Sequence, residues 1–270
     1  MDILETKRIR QALDRDAGNA FNIAVIDATG STNSDLIAAS STLPSGTVLA
    51  ANHQTAGRGR RGRNWVAPPG GSLAFSVLWN FETMPGGLSG LSLAAGMAVA
   101  RAVEQCGVSS VRLKWPNDLV APRADGWAKA GGILVEVTGP AAGPCYVVIG
   151  IGLNVALGAA IAEIDQAAID LSMLGLRVSH NQLLATILNE LLPILRQFAM
   201  GGFLPFRDEW NRRHAYASQA VTLLGEGRLP IQGTATGADG DGALLLETPD
   251  GIVRIISGDV SLRRASLSQS

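Results

Sequence analysis

Gly57-Arg58-Gly59-Arg60-Arg61-Gly62-Arg63-Asn64-Trp65-Val66-Ala67-Pro68-Pro69-Gly70-Gly71 is the stretch on which the fold turns. Gly57, Gly59 and Gly62 stand in the G-x-G-x-x-G spacing that opens a doubly wound dinucleotide-binding sheet when a helix follows at once. Here two prolines and two glycines follow. Proline lacks a backbone donor and glycine is entropically costly in a helix, so no helix starts there. The run is a loop between strands, and the doubly wound reading falls.

Working outward, residues 22–28 (NIAVIDA) and 47–52 (TVLAAN) read as strands. Ser31, Thr32 and Asn33 form a capping cluster that starts a helix over DLIAAS. Residues 72–79 (SLAFSVLW) are apolar on both faces, as in a buried strand. Residues 89–105 favour a helix with Ser89 as its N-cap, and 111–115, 131–138 and 145–151 are further strands. Leu183, Leu184, Ile187, Leu188, Leu191, Leu192 and Leu195 recur at helical spacing over 181–198, with a bend expected at Pro193. Residues 1–20 read as a short polar helix or arm. Strands and helices do not alternate strictly, so the expected fold is α/β of the α+β type, a mixed β-sheet flanked by helices. After about Tyr216, five short strand-like runs are separated by GEG, ADGDG, PDG and SG turns, which suggests a small barrel. The expected domains are 1–216 and 217–270.

The 270 residues are 47% hydrophobic, enough to bury a substantial core. The net charge of −1 gives no general pull toward nucleic acid, so anion binding must come from a local basic cluster. Cys106 and Cys145 lie in no metal-ligand spacing and read as reduced, buried thiols. The charged N-terminus has no apolar core of a secretion signal, and no uninterrupted apolar run reaches the length of a membrane span. A cytoplasmic protein with no membrane partner is expected.

Four segments carry chemistry. In the arginine loop, glycines let backbone amides approach an anion and guanidinium groups bind phosphate or carboxylate bidentately. Lys114-Trp115-Pro116-Asn117-Asp118 offers a cation, an amide and a carboxylate within one turn, and Asp118 could hold Mg²⁺ on a nucleotide. Lys129 stands just before Gly131-Gly132 and the buried run Ile133-Leu134-Val135-Glu136. Glycines there let a ligand lie against the backbone, and the lysine could neutralise a carboxylate. Gly150-Ile151-Gly152-Leu153-Asn154 closes a strand with one amide able to read a base edge. No catalytic Cys/His pair or nucleophile elbow is present, and His53, His180 and His214 read as structural or exposed.

Together and in this order, GRGRRGR, KWPND, K-x-x-G-I-L-V-E and G-I-G-x-N resemble the biotin–protein ligases. Ser31-Thr32-Asn33 resembles that family's S-T-N segment. GALLLE at 242–247 and GDVSLR at 258–263 resemble its small C-terminal SH3-like barrel. The resemblance implies ATP-dependent biotinylation of a carrier lysine through biotinyl-5′-AMP. It implies that Ser31, Thr32, Asn33, Gln54, Gly57, Arg58, Arg60 and Lys129 surround biotin. It assigns Arg61, Arg63, Trp65, Lys114, Asn117, Asn154 and Arg263 to ATP and Asp118 to magnesium, with Lys129, Arg60 and Asp118 acting in the chemistry. The implied partner is the biotin carboxyl carrier protein of acetyl-CoA carboxylase, and a homodimer is compatible with it. Some members carry an N-terminal DNA reader. About 20 residues precede the first strand here, so no DNA partner is expected. The rivals are a lipoate–protein ligase or octanoyltransferase, and a nucleic-acid-binding regulator using the arginine loop.

Overall fold

The computed structural model describes residues 2–66, 68–81, 88–138, 145–225, 229–256 and the backbone of 260–264. Seven strands form the main sheet: β1 (Asn22–Thr29), β2 (Thr47–Gln54), β5 (Ser72–Phe81), β9 (Cys145–Asn154), β8 (Gly126–Thr138), β7 (Asp118–Arg123) and β6 (Arg112–Lys114), in that spatial order. Only β1 and β2 run parallel; every other pairing is antiparallel, so the sheet is mixed.

Alternation along the central strands gives the sheet two different faces. Leu73, Phe75, Val77 and Phe81 of β5, with Val147, Ile149, Ile151 and Leu153 of β9, join the main core. Helices α4 (Leu91–Gln105) and α5 (His180–Gly201) cover that side. On the other face Leu78 and Val148 pack with Leu36 of α3 (Thr32–Ala39). Next to this small cluster the outward positions become Ala74, Ser76, Gly150 and Gly152. The bulk is missing there, and the missing bulk makes room for a cavity.

Side-chain caps start some of the helices. Ser31 caps α3 by accepting from Ser34 N, and Ser179 caps α5 by accepting from Gln182 N. Ser89 does not cap α4, contrary to expectation. The cap is Gly90 at φ 81°, where a Cβ would lie 2.6 Å from Phe203 Cβ. Steric exclusion outweighs hydroxyl capping at that position. Pro193 lies inside α5, which extends past the expected 181–198 at both ends. This helix is long and apolar enough to cross a membrane by composition, but 61% of that window is buried against the rest of the chain. It is a core helix.

The N-terminal residues are not a free arm. Helices α1 (Thr6–Ala12) and α2 (Arg15–Ala20) pack on α5, burying Ile9 and Ala17. Asn181 accepts from Glu5 N at 2.8 Å and donates to the Ile3 carbonyl at 2.9 Å. Helix α6 (Arg207–Arg213) is joined to α4 through Arg101, whose guanidinium donates to the Glu209 carboxylate, and through Arg213 to Glu104 at 2.8 Å. Cys106 and Cys145 are free thiols and half-buried, more accessible than expected. Burial pushes both thiols up from their ordinary value, and a hydrogen bond with Thr186 partly offsets this at Cys106.

Beyond α6, the five expected runs form an antiparallel sheet of β10 (Gln219–Gly225), β11 (Ile231–Ala238), β12 (Leu244–Thr248), β13 (Gly251–Ile255) and β14 (Val260–Arg264). Its order is β13-β12-β11-β10-β14, and among the described residues β13 and β14 do not pair to close a barrel. This sheet is docked on the first. The Trp115 indole donates to the Gly242 carbonyl at 3.0 Å, and Asn211 exchanges two hydrogen bonds with the Ala238 backbone.

Candidate active site

A cavity of about 1030 Å³ opens over the glycine-lined part of the sheet. Its walls come from the start of α3, the arginine loop, the turn between β6 and β7, and the middle of β8 and β9. Gly150 and Gly152 form its floor for steric reasons. A Cβ at Gly150 would lie 2.2 Å from Asn33 Oδ1, and one at Gly152 would lie 2.6 Å from Trp65 Cε2. The floor therefore admits only backbone.

One end is buried and neutral. Thr32 N donates to Gln54 Oε1 at 2.8 Å, and Thr32 Oγ1 lies 3.0 Å from the same oxygen. Thr32 Oγ1 is 2.7 Å from Ser76 Oγ, which lies 2.5 Å from Asn33 Oδ1. Asn33 donates from Nδ2 to Glu136 Oε2 at 2.9 Å. Ser31, Thr32, Asn33, Gln54 and Ser76 are all buried, so their polar atoms depend on one another for partners.

The other end is cationic and more open. The arginine loop is a short hairpin of β3 (Gly57–Arg58) and β4 (Asn64–Trp65) around a single 3₁₀ turn. Arg61 sits at φ 60° in the left-handed region, which turns the chain back on itself. Arg58 reaches Glu136 Oε1 at 3.0 Å and Ser34 Oγ at 3.2 Å. Arg60 donates to Asn117 Oδ1 at 3.3 Å, while Asn117 Nδ2 holds the Ile133 carbonyl at 2.7 Å. Arg61, Arg63, Trp65 and Lys114 line the same space.

Between the ends, Lys129 Nζ pairs with Asp118 Oδ1 at 2.7 Å, both side chains about one-fifth exposed. The sequence suggested that Lys129 precedes its strand, but β8 begins at Gly126. Lys129 reaches the cavity because Ala130 is an extra residue in the β7–β8 ladder: Val120 pairs with Lys129 and Leu119 with Gly131. Such a bulge re-aims a side chain. Lys129 N donates to the Ala167 carbonyl at 2.8 Å, and Ile169 N donates back to the Lys129 carbonyl at 3.0 Å.

Two expected residues, Gly57 and Asn154, do not line the main cavity, and the side chain of a third, Arg263, is not described. Gly57 lies under Trp65, whose carbonyl would meet a Cβ at 2.6 Å. Asn154 donates to the Lys129 and Ile169 carbonyls at 3.0 and 3.3 Å and borders a smaller adjoining cavity of about 290 Å³. Arg263 pairs through its backbone with Thr222; its side chain lies outside the described residues. Sequence reasoning gave no role to Ser76 or Glu136. Ser76 had a visible signal, a hydroxyl in the middle of the apolar run Leu73–Trp79. Among the described residues Asp118 is the sole carboxylate lining the cavity, and no group of three or more His, Cys, Asp or Glu able to hold a metal occurs.

His214 supports the cavity from behind. It pairs with Leu113 of β6, next to Lys114, and stacks on Trp210 with ring centroids 4.7 Å apart. Neither ring nitrogen has a hydrogen-bond partner. Burial lowers its pKa to about 4, so it is neutral at physiological pH.

A mixed sheet with a deep polar pocket at one end of its cavity and a cluster of arginines at the other defines a protein that binds a small ligand beside a polyanion. The Biotin/lipoate A/B protein ligase family matches residues 23–154, and the Biotin protein ligase C terminal domain matches residues 219–263. The Bifunctional ligase/repressor BirA of Escherichia coli is 36% identical over 267 residues, 98% of this chain and 80% of that one. The Biotin--[acetyl-CoA-carboxylase] ligase of Mycobacterium tuberculosis is 34% identical, covering 95% of each chain. The biotin protein ligase from Aquifex aeolicus in complex with biotin and ATP superposes with a TM-score of 0.79 at 32% identity, covering 90% of this chain and 99% of that one. The chain belongs to the biotin protein ligase family.

Proposed function

We propose that this protein activates biotin with ATP as biotinyl-5′-AMP and transfers the biotinyl group to a lysine of the biotin carboxyl carrier protein of acetyl-CoA carboxylase, in the cytoplasm. The observation that carries this reading is the joining of two unlike ends on one glycine floor. The neutral end suits a cyclic urea, because Thr32 and Gln54 offer an acceptor and a donor side by side. The cationic end suits phosphates. In this reading residues 1–216 form the catalytic domain and 217–270 a C-terminal domain docked behind the Lys114–Asp118 turn.

A carboxylate is a poor electrophile, so activation comes first. The biotin carboxylate oxygen attacks the α-phosphorus of ATP and the bond to pyrophosphate breaks. Lys129 sits between the two ends, where it can pair with the incoming carboxylate and then with charge developing at the α-phosphate. Arg60, Arg61, Arg63 and Lys114 offset phosphate charge, with Trp65 and Asn117 beside the nucleotide and Asn154 holding Lys129's backbone. One carboxylate, Asp118, fits a magnesium ion that arrives on the phosphates better than an all-protein metal site. Such an ion would supply charge neutralisation there. The carrier's lysine amine then attacks the mixed-anhydride carbonyl and AMP leaves. Closing the arginine loop would shield the anhydride from water.

The test is direct. Purified protein, biotin, Mg·ATP and a carrier domain should give a carrier heavier by one biotinyl group, and omitting ATP should abolish the gain. Transfer of lipoate or octanoate but not biotin overturns the proposal.

A further inference from the structure

Asn154 ends β9 with a buried amide, 3% exposed. The β8–β9 ladder stops one pair earlier, at Gly131–Leu153. Beyond that point the Asn154 side chain replaces the missing backbone pair. Its Nδ2 donates to the Lys129 carbonyl at 3.0 Å and to the Ile169 carbonyl at 3.3 Å. Carbonyls only accept, and an amide nitrogen carries two hydrogens, so both are engaged inside the protein. For anything bound in the adjoining cavity, which Asn154 borders, the amide keeps only an accepting oxygen. An amide reads adenine by donating and accepting together, and this one has nothing left to donate. The Asn154 backbone carbonyl also accepts from Leu171 N at 2.9 Å. One residue thus ties both the segment 167–171 and the backbone of Lys129 to β9.

Lys129 needs such a tie because it stands at the bulge. On the β7 side the register slips there, with Val120 opposite Lys129 and Leu119 opposite Gly131. On the β9 side the ladder has already stopped. The Lys129 backbone instead exchanges bonds with the Ala167 carbonyl and Ile169 N, at 2.8 and 3.0 Å. That segment meets β8 only as an isolated bridge, so it moves with the bulge rather than fixing it to the sheet. The Asn154 amide holds both partners to the central strand. The aim of the side chain depends on this backbone. A Cβ at Gly132 would lie 3.3 Å from Lys129 Cε and Nζ, so the lysine runs close over that glycine. Its Nζ then sits 2.7 Å from Asp118 Oδ1 and 5.8 Å from the Trp65 ring centroid.

We propose that Asn154 is a positioning residue: it holds the bulge against β9, aims Lys129 at the point between the two ends of the cavity, and does not read the base of the nucleotide. The inference rests on the reading of Lys129 as the cation that meets the biotin carboxylate, and deepens it. Without the amide, a small shift of the Lys129 carbonyl is carried along a long side chain to Nζ, and misplacement of the reacting groups slows the chemical step.

The experiment is steady-state, biotin-dependent ATP–pyrophosphate exchange on the full chain. N154A should lower kcat roughly tenfold, about one buried hydrogen bond, and leave the KM for ATP and the preference for ATP over GTP unmoved. Because Asn154 acts through Lys129, adding N154A to K129A should slow exchange no further. General loosening of the fold would neither confine the loss to kcat nor vanish in the K129A background. Should N154A fail to fold, N154D replaces it; it keeps the shape and the accepting oxygen, lacks the amide donors, and should give the same split. A raised KM for ATP at unchanged kcat, or a weakened preference for ATP over GTP, makes Asn154 a base reader and overturns the inference. Losses that multiply in the double variant overturn it too, as does an N154A that behaves like the unmodified protein. If the unmodified protein shows no biotin-dependent exchange, the biotin reading of the cavity fails first and this inference with it.

Discussion

The two ends of the cavity present polar groups in opposite ways. At the neutral end every functional atom of Thr32, Asn33 and Ser76 is buried and already engaged, so its geometry is fixed before a ligand arrives. At the cationic end the groups are long, partly exposed side chains; Arg58 keeps 48% of its side chain in solvent. The difference teaches where specificity and where attraction reside. A buried, paired network rejects a ligand with the wrong donors because it cannot relax. Exposed guanidinium groups attract any polyanion and are weakened by salt. Raising the salt should therefore weaken ATP binding much more than biotin binding.

The largest expected effect comes from acid, and it strikes the cationic end through its scaffold. His214 is buried and neutral behind Lys114, with a pKa lowered to about 4 from 6.5. The unfolded chain binds this proton more readily than the folded one. The neutral-His contribution is thus complete above pH 6.5, shrinks as pH falls, and is lost by about pH 4, for a total of about 3 kcal/mol. His214→Phe keeps the stacking on Trp210 and should flatten the stability–pH curve between those limits, measured by urea unfolding. An unchanged slope would show that other groups dominate.

Next is Lys129, the link between the ends. Lys129→Ala should slow biotin-dependent ATP–pyrophosphate exchange by roughly 10- to 150-fold, the loss of one charge-assisted contact in a closed site. Thermal stability should fall less, because the pair with Asp118 retains solvent contact. Unchanged exchange would remove Lys129 from the chemistry.

Much of this organisation was legible in the sequence, for identifiable reasons. The prolines after the arginine loop excluded a doubly wound sheet, and the loop does run between strands. Two-faced apolarity marked β5 as central, and turn signals marked all five C-terminal strands. The residues expected around the ligands largely line one cavity, since their motifs sit on neighbouring strands. What escaped depends on contacts between distant segments. Ser89 lost the α4 cap because Phe203, far along the chain, leaves no room for a side chain at Gly90. The Ala130 bulge appears only in the ladder between β7 and β8. Glu136 was visible in its motif, but its contact with Asn33 joins segments about a hundred residues apart.

Thr32→Val tests the neutral end more gently. It removes the hydroxyl while keeping shape and burial, and should weaken biotin by roughly tenfold with ATP affinity unmoved. A parallel loss of ATP affinity would mean that the two ends are not independent.

The smallest expected effect concerns the ion pair at the edge of the neutral end. Arg58 and Glu136 form a partly exposed ion pair at 3.0 Å, with side chains 48% and 23% exposed. Such pairs contribute about 0–1 kcal/mol and are screened by salt. Arg58→Gln leaves Asn33 its contact with the Glu136 carboxylate, so the buried network is kept. Biotin should weaken by less than about fivefold in dilute buffer, the upper limit of such a pair. That small loss should fade in about 1 M salt, where the Debye length is near 3 Å. The Thr32→Val loss should persist there, since no charge is involved. The decisive comparison is the two variants titrated with biotin at both salt concentrations. If Arg58→Gln instead costs as much as Thr32→Val and is indifferent to salt, the arginine belongs to the fixed neutral end, and the division between the two ends must be redrawn through β3.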